Sequence, residues 1–271
     1  MRKAVVTLLA ASSATALQLS PPQRLPSHHR HSRRCSSIHA VSERHNQAYK
    51  ETIKLFEPLL PDAPARQFPL ISHVPHPDGD HLVHSTAEPL FSAEECAAIV
   101  TEAEEWAQRK GGWTSTRHFN HPTIDIPLAE LPATRCFLNT DGLKNRIYPM
   151  LGHAFAHSLP NWRALRVADA FIVKYDAAGG QKALQEHRDG SVLSFNIALN
   201  DRFEYEGGGT WFAGLGQSIA IDKGHVCCHA SGVLHGGHPI TSGVRYILVA
   251  FVIVEGYQNW AMRFMKSVWN Y

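Results

Sequence analysis

The amino-acid sequence predicts an α+β fold, in which an antiparallel β-barrel or jelly roll follows a helical region. From Arg166 onward, six short segments of strand-like composition alternate with Gly-rich turns and show no helical periodicity between them. The last segment, residues 244–254, is apolar on both faces, so we expect it to be a covered central strand. Ahead of this core, apolar residues recur at helical spacing, which predicts supporting N-terminal helices.

Residues 1–45 have the composition of a targeting segment. Arg2 and Lys3 precede a short apolar stretch with a small-residue cleavage site, as in a signal peptide. Residues 18–45 are rich in Arg, His, Ser and Pro and nearly free of acids, a composition that cannot build a core. We therefore expect a disordered leader of signal or transit type. It would bring the chain into the secretory pathway, destined for the ER or secretion, or for the plastid of an alga with complex plastids.

Residues 46–165 are expected to wrap and support the core. Residues 46–90 are Pro-rich and predict a wrapping loop. A helix is predicted over 141–157 from its apolar periodicity, and the prolines within 122–127 restrict that stretch to an edge strand or an extended loop.

One helix in this region has clear start and stop signals. Ser92 and Glu95 form a capping box at its beginning, and the pair Gly111 and Gly112 ends the helical pattern. At the other end of the chain, the tail 257–271 is predicted to be a helix whose apolar stripe packs on the barrel.

Charge and cysteine content exclude several classes of function. The chain has 26 Lys/Arg and 24 Asp/Glu, and residues 1–45 hold seven of the former but one of the latter, so the remainder carries 19 basic and 23 acidic side chains. A mildly acidic folded region gives no reason to expect a nucleic-acid partner. The five cysteines have no regular spacing, which indicates neither a disulfide framework nor a zinc knuckle.

A set of polar residues in the last third predicts a metal site. His187 and Asp189 are two positions apart, so in a strand they would share one face. His235 could supply a third ligand, and a facial set of two His and one carboxylate suits Fe(II) with open positions. Arg245 follows ten residues after His235 and offers a permanently charged fork for a carboxylate. A turn at 241–243 is expected to bring His235 and Arg245 onto paired strands facing one cavity.

Together these residues resemble the 2-oxoglutarate/Fe(II)-dependent dioxygenase superfamily, and within it the prolyl 4-hydroxylase-like branch. The family pattern has a Tyr strand, His-x-Asp, a Gly-Gly-x-Thr-x-Phe-like strand and His-x-x-x-Pro-[VI]-Thr-x-Gly-x-Arg/Lys. The matching pieces of this chain are Tyr175, His187 with Asp189, GGTWF at 208–212 and HGGHPITSGVR at 235–245. The resemblance extends over about residues 88–256.

The resemblance implies a double-stranded β-helix (jelly-roll) dioxygenase core over residues 166–256. It implies Fe(II) bound by His187, Asp189 and His235, with 2-oxoglutarate as co-substrate and ascorbate as an accompanying cofactor. Arg245 would bind the C5 carboxylate of 2-oxoglutarate, and Tyr175 would line its pocket. The implied reaction hydroxylates a C–H bond of a peptidyl residue, with proline as one candidate, and releases succinate and CO2.

Several alternatives stay open. His238 could replace His235 as the distal ligand, although the family spacing favours His235. The chain lacks the second Tyr that most prolyl hydroxylases have before His-x-Asp and has Arg at the anchor where collagen-type enzymes favour Lys, which leaves the prolyl substrate open. Asn196 shares a predicted strand face that could reach the pocket, whereas His225 and His229 are predicted to be core or rim residues.

Other functions also remain as alternatives: a small-molecule 2-oxoglutarate oxygenase, a non-catalytic jelly-roll binding module, or a cupin-type isomerase or hydrolase, which would leave Arg245 unexplained. A protein, peptide or small-molecule substrate is the expected partner. No stable membrane insertion of the mature form is expected.

Overall fold

The computed structural model describes residues 67–77, 79–113, 117 and 121–269. The predicted leader, residues 1–45, lies outside the described residues, as does the first part of the predicted wrap. Within the described ranges the chain forms two antiparallel β-sheets. Most of the helical residues lie in the chain before the long run of strands that begins at Leu165. This architecture confirms the predicted α+β jelly-roll class.

The strands of the described region are numbered in chain order. They are β1 (Leu70–Pro75), β2 (His81–Thr86), β3 (Asp125–Pro127), β4 (Leu165–Asp176), β5 (Leu184–His187), β6 (Leu193–Ala198), β7 (Tyr205–Gly207), β8 (Thr210–Phe212), β9 (Gln217–Ile219), β10 (Val226–Ala230), β11 (His235–Gly237) and β12 (Ile240–Val254). The larger sheet has the order β1-β2-β10-β6-β12-β4-β3, with β7 paired to β12. The smaller sheet has the order β5-β11-β8-β9.

Strand β12 is central, as its apolar sequence predicts, because it pairs with both β4 and β6. Its side chains alternate between two environments. Leu248, Ala250 and Val252 belong to the main hydrophobic core, which also contains residues of the helices. Arg245, Ile247, Val249 and Phe251 line a cavity on the other face. The strand therefore separates the core from the site.

The first helix, α1, has the predicted boundaries. It runs over Ala93–Lys110, with Ser92 and Glu95 forming both hydrogen bonds of the capping box. Gly111 ends it with a φ of 85°, a left-handed conformation that costs glycine little. The buried face of α1 packs Cys96, Ile99, Ala103 and Ala107 into the core.

The second helical region begins earlier than predicted. Helix α2 (Pro132–Phe137) continues through π-helical Leu138–Ile147 into α3 (Tyr148–Ala154). Pro132 stands in the first turn, where its fixed φ suits a helix start. This continuous helical segment ends at Phe155, whose φ of −115° and ψ of 33° lie outside the helical region. It therefore stops short of the predicted residue 157.

Two predictions about loops are wrong. Residues 70–86, expected within a wrapping loop, form β1 and β2, and β2 joins the large sheet through antiparallel pairing with β10. Residues 241–243, expected as a turn, lie inside β12 and pair with β7 through a register shift. Just beyond this shift, Gly243 pairs with Tyr205 and adopts a φ of 74°, a left-handed conformation that favours glycine. By contrast, β3 lies at the sheet edge, as its prolines predict.

The C-terminal tail forms helix α4 (Gln258–Ser267). Phe264 and Val268 are buried in the main core and Trp260 packs against it, as the predicted stripe requires. Val268 packs on Gly232, one residue beyond Ser231, so the tail supports the back of the turn between β10 and β11. None of the helices in the described ranges combines the length and apolarity needed to cross a membrane.

Candidate iron and 2-oxo acid site

Two histidines from adjacent strands and one carboxylate converge at the small sheet. His187 ends β5 and His235 begins β11, and their Cα atoms are direct partners in the ladder. Asp189 lies between the rings: its Oδ1 is 3.4 Å from His187 Nε2, and its Oδ2 is 3.6 Å from His235 Nε2. One ligand atom from each residue lies within 4.8 Å of the other two, close enough to hold one metal ion.

Backbone hydrogen bonds set the tautomers of both rings. His187 Nδ1 is 2.7 Å from the carbonyl oxygen of Gln185, and His235 Nδ1 is 3.0 Å from that of Val233. A carbonyl only accepts, so each Nδ1 must carry the hydrogen and donate it. The Nε2 atoms, which face Asp189, therefore keep their lone pairs for a cation, as metal-binding imidazoles commonly do.

Asp189 reaches the site by a route that strand geometry did not predict. Strand β5 ends at His187, so Asp189 lies in the bend beyond it rather than on the same strand face. Its backbone N–H donates to the carbonyl oxygen of Ser231 at 3.0 Å, which ties this bend to the turn after β10. The His-x-Asp pair is thus held by contacts to the opposite sheet.

The electrostatics favour an ionised Asp189 carboxylate and act in opposite directions on the pKa values of the two imidazoles. Burial alone would raise the pKa of Asp189, but His235, His187 and His229 together hold it well below its usual range. Burial lowers the pKa of His235, and the charge of Asp189 only partly opposes this. Burial acts in the same direction on His187, but the hydrogen bond and charge of Asp189 outweigh it and raise its pKa. A divalent cation bound between these side chains would compete with protons for them.

A cavity of about 460 Å³ extends from this cluster between the two sheets. Arg245 lies in its wall with 2% of its surface exposed. Its guanidinium carbon is 5.3 Å from the ring centroid of Tyr175, the residue directly opposite it on β4. Burial raises the pKa of the Tyr175 hydroxyl, although the charge of Arg245 acts against this.

Arg245 lacks a counter-charge within the described ranges. No carboxylate there lies within 4.0 Å of its guanidinium, and its buried Nε has no hydrogen-bond partner. A buried arginine is normally paired, because an isolated charge away from water is costly. Arg245 and His235 do face one cavity, but from opposite sheets and not from the paired strands that we expected.

Asn196 also lines the cavity, as its predicted strand face suggested. It is 6% exposed, its Nδ2 is 3.3 Å from Thr210 Oγ1, and its Oδ1 is buried without a partner. If the Asn196 amide is turned over, Thr210 donates to its oxygen and the amide N–H groups become available to the cavity.

Three further histidines bear on the interpretation. His238 lies outside the cluster, so the structure brings His235, not its alternative, to Asp189. His229 is a buried neighbour whose ring centroid is 4.2 Å from that of His235, and burial lowers its pKa to about 3. His121 stacks on His187 with centroids 4.8 Å apart; no sequence signal predicted this contact.

Two imidazoles and one carboxylate beside a cavity form a donor set that is typical of non-haem Fe(II) oxygenases. In sequence the chain is similar to 2-oxoglutarate-dependent dioxygenases, in agreement with the predicted resemblance. It is 31% identical over 189 residues to the multifunctional procollagen lysine hydroxylase and glycosyltransferase LH3 of Rattus norvegicus, covering 65% of this chain and 25% of that protein. It is 32% identical over 173 residues to human procollagen-lysine,2-oxoglutarate 5-dioxygenase 2, covering 60% of this chain and 23% of that protein.

The chain thus spans about a quarter of the length of these curated relatives. No family model matches it. Among solved structures, AviO1 from Streptomyces viridochromogenes Tue57 is similar with a TM-score of 0.49 and 15% identity, over 65% of this chain and 90% of that one.

Proposed function

We propose that this chain is a 2-oxoglutarate- and Fe(II)-dependent dioxygenase that hydroxylates a C–H bond of a peptidyl substrate and releases succinate and CO2. The observation that carries this proposal is the unpaired Arg245, buried in the same cavity as the cluster of His187, Asp189 and His235. A metal site alone would fit many functions. A metal site with a buried positive charge in its cavity calls for an anionic ligand of the metal.

The donor set fits Fe(II). His187 and His235 offer neutral Nε2 lone pairs, and Asp189 offers an ionised oxygen, which together make three ligands on one side of a cation. Iron held by these three residues would keep positions free for a 2-oxo acid and for dioxygen.

The cavity wall fits 2-oxoglutarate. Arg245 would pair with the C5 carboxylate through charge-assisted hydrogen bonds, which would supply the counter-charge it lacks. Tyr175 packs against the guanidinium and would fix its direction. Asn196, turned so that Thr210 donates to its oxygen, would offer N–H groups to the co-substrate between the metal and Arg245.

In the proposed mechanism the chain supplies position and a dry environment. Bound iron provides the oxygen activation that the side chains cannot perform. His187, Asp189 and His235 would hold it from one side, while Arg245 orients the co-substrate. Ile247, Val249 and Phe251, on the same face of β12, give the cavity an apolar wall. The reaction balances, since one oxygen atom of O2 enters the product hydroxyl and the other enters succinate.

We propose a lysyl residue of a peptide as the first substrate to test. The named relatives are lysine hydroxylases, whereas a prolyl residue is supported only by the family resemblance.

We also propose, on the family resemblance, that ascorbate supports turnover. The composition of residues 1–45 supports entry into the secretory pathway, with the ER, secretion or a complex plastid as the destination.

Anaerobic addition of Fe(II) and 2-oxoglutarate to the purified chain tests the proposal. A metal-to-ligand charge-transfer band should appear, and His187→Ala should abolish it because one of three ligands is lost. Under air, lysyl and prolyl peptides of otherwise identical sequence should be compared for hydroxylation coupled to succinate release. A wild-type chain that gives neither the band nor succinate would overturn the proposal.

A further inference from the structure

Three buried serine hydroxyls form a ring behind Asp189. Ser191, Ser194 and Ser231 are 4%, 2% and 0% exposed. Their Oγ atoms are 2.7 Å apart for Ser191 and Ser231, 2.8 Å for Ser194 and Ser231, and 3.3 Å for Ser191 and Ser194. The ring joins the segment after the His-x-Asp bend, strand β6 and the turn after β10.

Hydrogen-bond direction within the ring is set at two points. Ser194 donates to Asp189 Oδ2 at 2.5 Å, and Ser191 donates to the carbonyl oxygen of Leu193 at 3.1 Å. Both of those hydroxyl hydrogens are used, so Ser231 must be the donor to one of its two neighbours. Every hydroxyl in the ring then has an acceptor. Ser194 is the member that contacts the carboxylate side chain.

We propose that Ser194 is a positioning residue that commits Asp189 to binding the metal through Oδ1. This inference rests on the proposed function, because it concerns the same metal site. Oδ2 already accepts a short hydrogen bond from a hydroxyl that is itself held in a buried ring. Oδ1, on the side of His187, is the oxygen left for a cation.

The consequence concerns the number of open positions on the metal. If Asp189 binds through one oxygen, the three protein ligands leave three positions of an octahedral ion free. A carboxylate that swings to bind through both oxygens would occupy one of them. The co-substrate and dioxygen together would need all three free positions. The hydrogen bond from Ser194 would therefore keep the third position from being taken by Asp189.

A buried serine can also serve packing alone, and the ring provides its own control for that interpretation. Ser191 is as buried as Ser194 and belongs to the same ring, but it has no hydrogen bond to Asp189. Ser191→Ala and Ser194→Ala each remove one buried hydroxyl. Only Ser194→Ala removes the donor to the carboxylate.

The test is titration of the metal-free full chain with Co(II), followed by its visible absorption. We expect Ser194→Ala to weaken Co(II) binding by about 10- to 100-fold, the usual effect of losing a residue that orients a metal ligand. We expect Ser191→Ala to stay within about threefold of wild type. The Co(II) spectrum should change in Ser194→Ala and match wild type in Ser191→Ala, and both metal-free variants should melt at similar temperatures.

The inference fails if Ser194→Ala binds Co(II) as tightly as wild type, or if Ser191→Ala loses as much affinity as Ser194→Ala. These outcomes are distinct from failure of the proposed function. That failure would appear as a wild-type chain that gives neither the charge-transfer band with Fe(II) and 2-oxoglutarate nor succinate.

Discussion

Replacing Arg245 with methionine should weaken the binding of 2-oxoglutarate without destabilising the ligand-free fold. Methionine keeps most of the apolar stem and removes the charge. In the free protein the buried Nε without a partner costs about 1–3 kcal/mol, and the variant is relieved of this. The loss of the cation–π contact with Tyr175 costs about 0.5–2 kcal/mol. We therefore expect the ligand-free variant to be as stable as wild type, or more stable by about 1 kcal/mol.

Ligand binding should show the opposite effect. A charge-assisted hydrogen bond contributes about 1.5–3 kcal/mol, so losing a two-pronged contact should weaken 2-oxoglutarate binding by about a hundredfold or more. At a concentration of about 100 Kd, 2-oxoglutarate stabilises wild type by about 2.7 kcal/mol, which is a rise in Tm of about 5–10 °C. In Arg245→Met the same concentration should raise the Tm by about 1 °C.

Thermal denaturation with Mn(II), with and without 2-oxoglutarate, measures both effects. Arg166→Met is the matched control, because Arg166 is paired with Glu255 at 2.9 Å and does not line the cavity. It should keep the full shift. An Arg245→Met variant that retains the wild-type shift with 2-oxoglutarate would refute the assignment of Arg245 as the anchor.

Three further predictions concern other parts of the structure. Asn196→Asp, a change of nearly equal volume, should weaken 2-oxoglutarate binding by about tenfold or more because like charges would face each other; calorimetry that finds unchanged affinity would remove Asn196 from the pocket. Burial lowers the pKa of His84 from 6.5 to about 4. The folded state therefore resists protonation that the unfolded chain accepts, and its stability is full above about pH 6.5 and falls as the pH drops towards 4. Between about pH 6.5 and 4, the free energy of unfolding of His84→Gln should fall less than that of wild type, by up to about 3 kcal/mol. Urea denaturation measures both losses, and equal losses would contradict this. Gly243→Ala should cost about 2 kcal/mol or more, since φ is 74° and a Cβ would collide with the carbonyl oxygen of Glu204. Gly179→Ala, which has open space around its Cβ, should cost far less in the same measurement.

The sequence predicted those parts of the fold whose signals are local. The capping box of Ser92 and Glu95 gave the start of α1, and the two-sided apolar pattern gave the central position of β12. Strands β1 and β2 were missed because prolines surround them, and their stability comes from pairing with β10, which is distant in the chain. Strands β5, β7 and β11 have three or four residues, too few to show an alternating pattern.

The candidate site divides in the same way. The spacing of His187, Asp189, His235 and Arg245 singled out the residues that meet in one cavity, and their chemical roles stay predictions. Ser194 could have been found, because it precedes Asn196 by two positions on a predicted strand and shares its face. The stacking of His121 on His187 depends on how separate parts of the chain pack, and no local pattern encodes it.

The alternation of β12 restricts how this protein can change in length. Arg245 and Phe251 face the cavity because an even number of positions separates them along one continuous strand. Deleting or inserting a single residue between them would turn the guanidinium towards Leu248 and its apolar neighbours, where nothing could neutralise it. Viable homologues should therefore conserve the length of this stretch more strictly than its apolar side chains. Libraries built on this scaffold should vary side chains there and leave the residue count fixed.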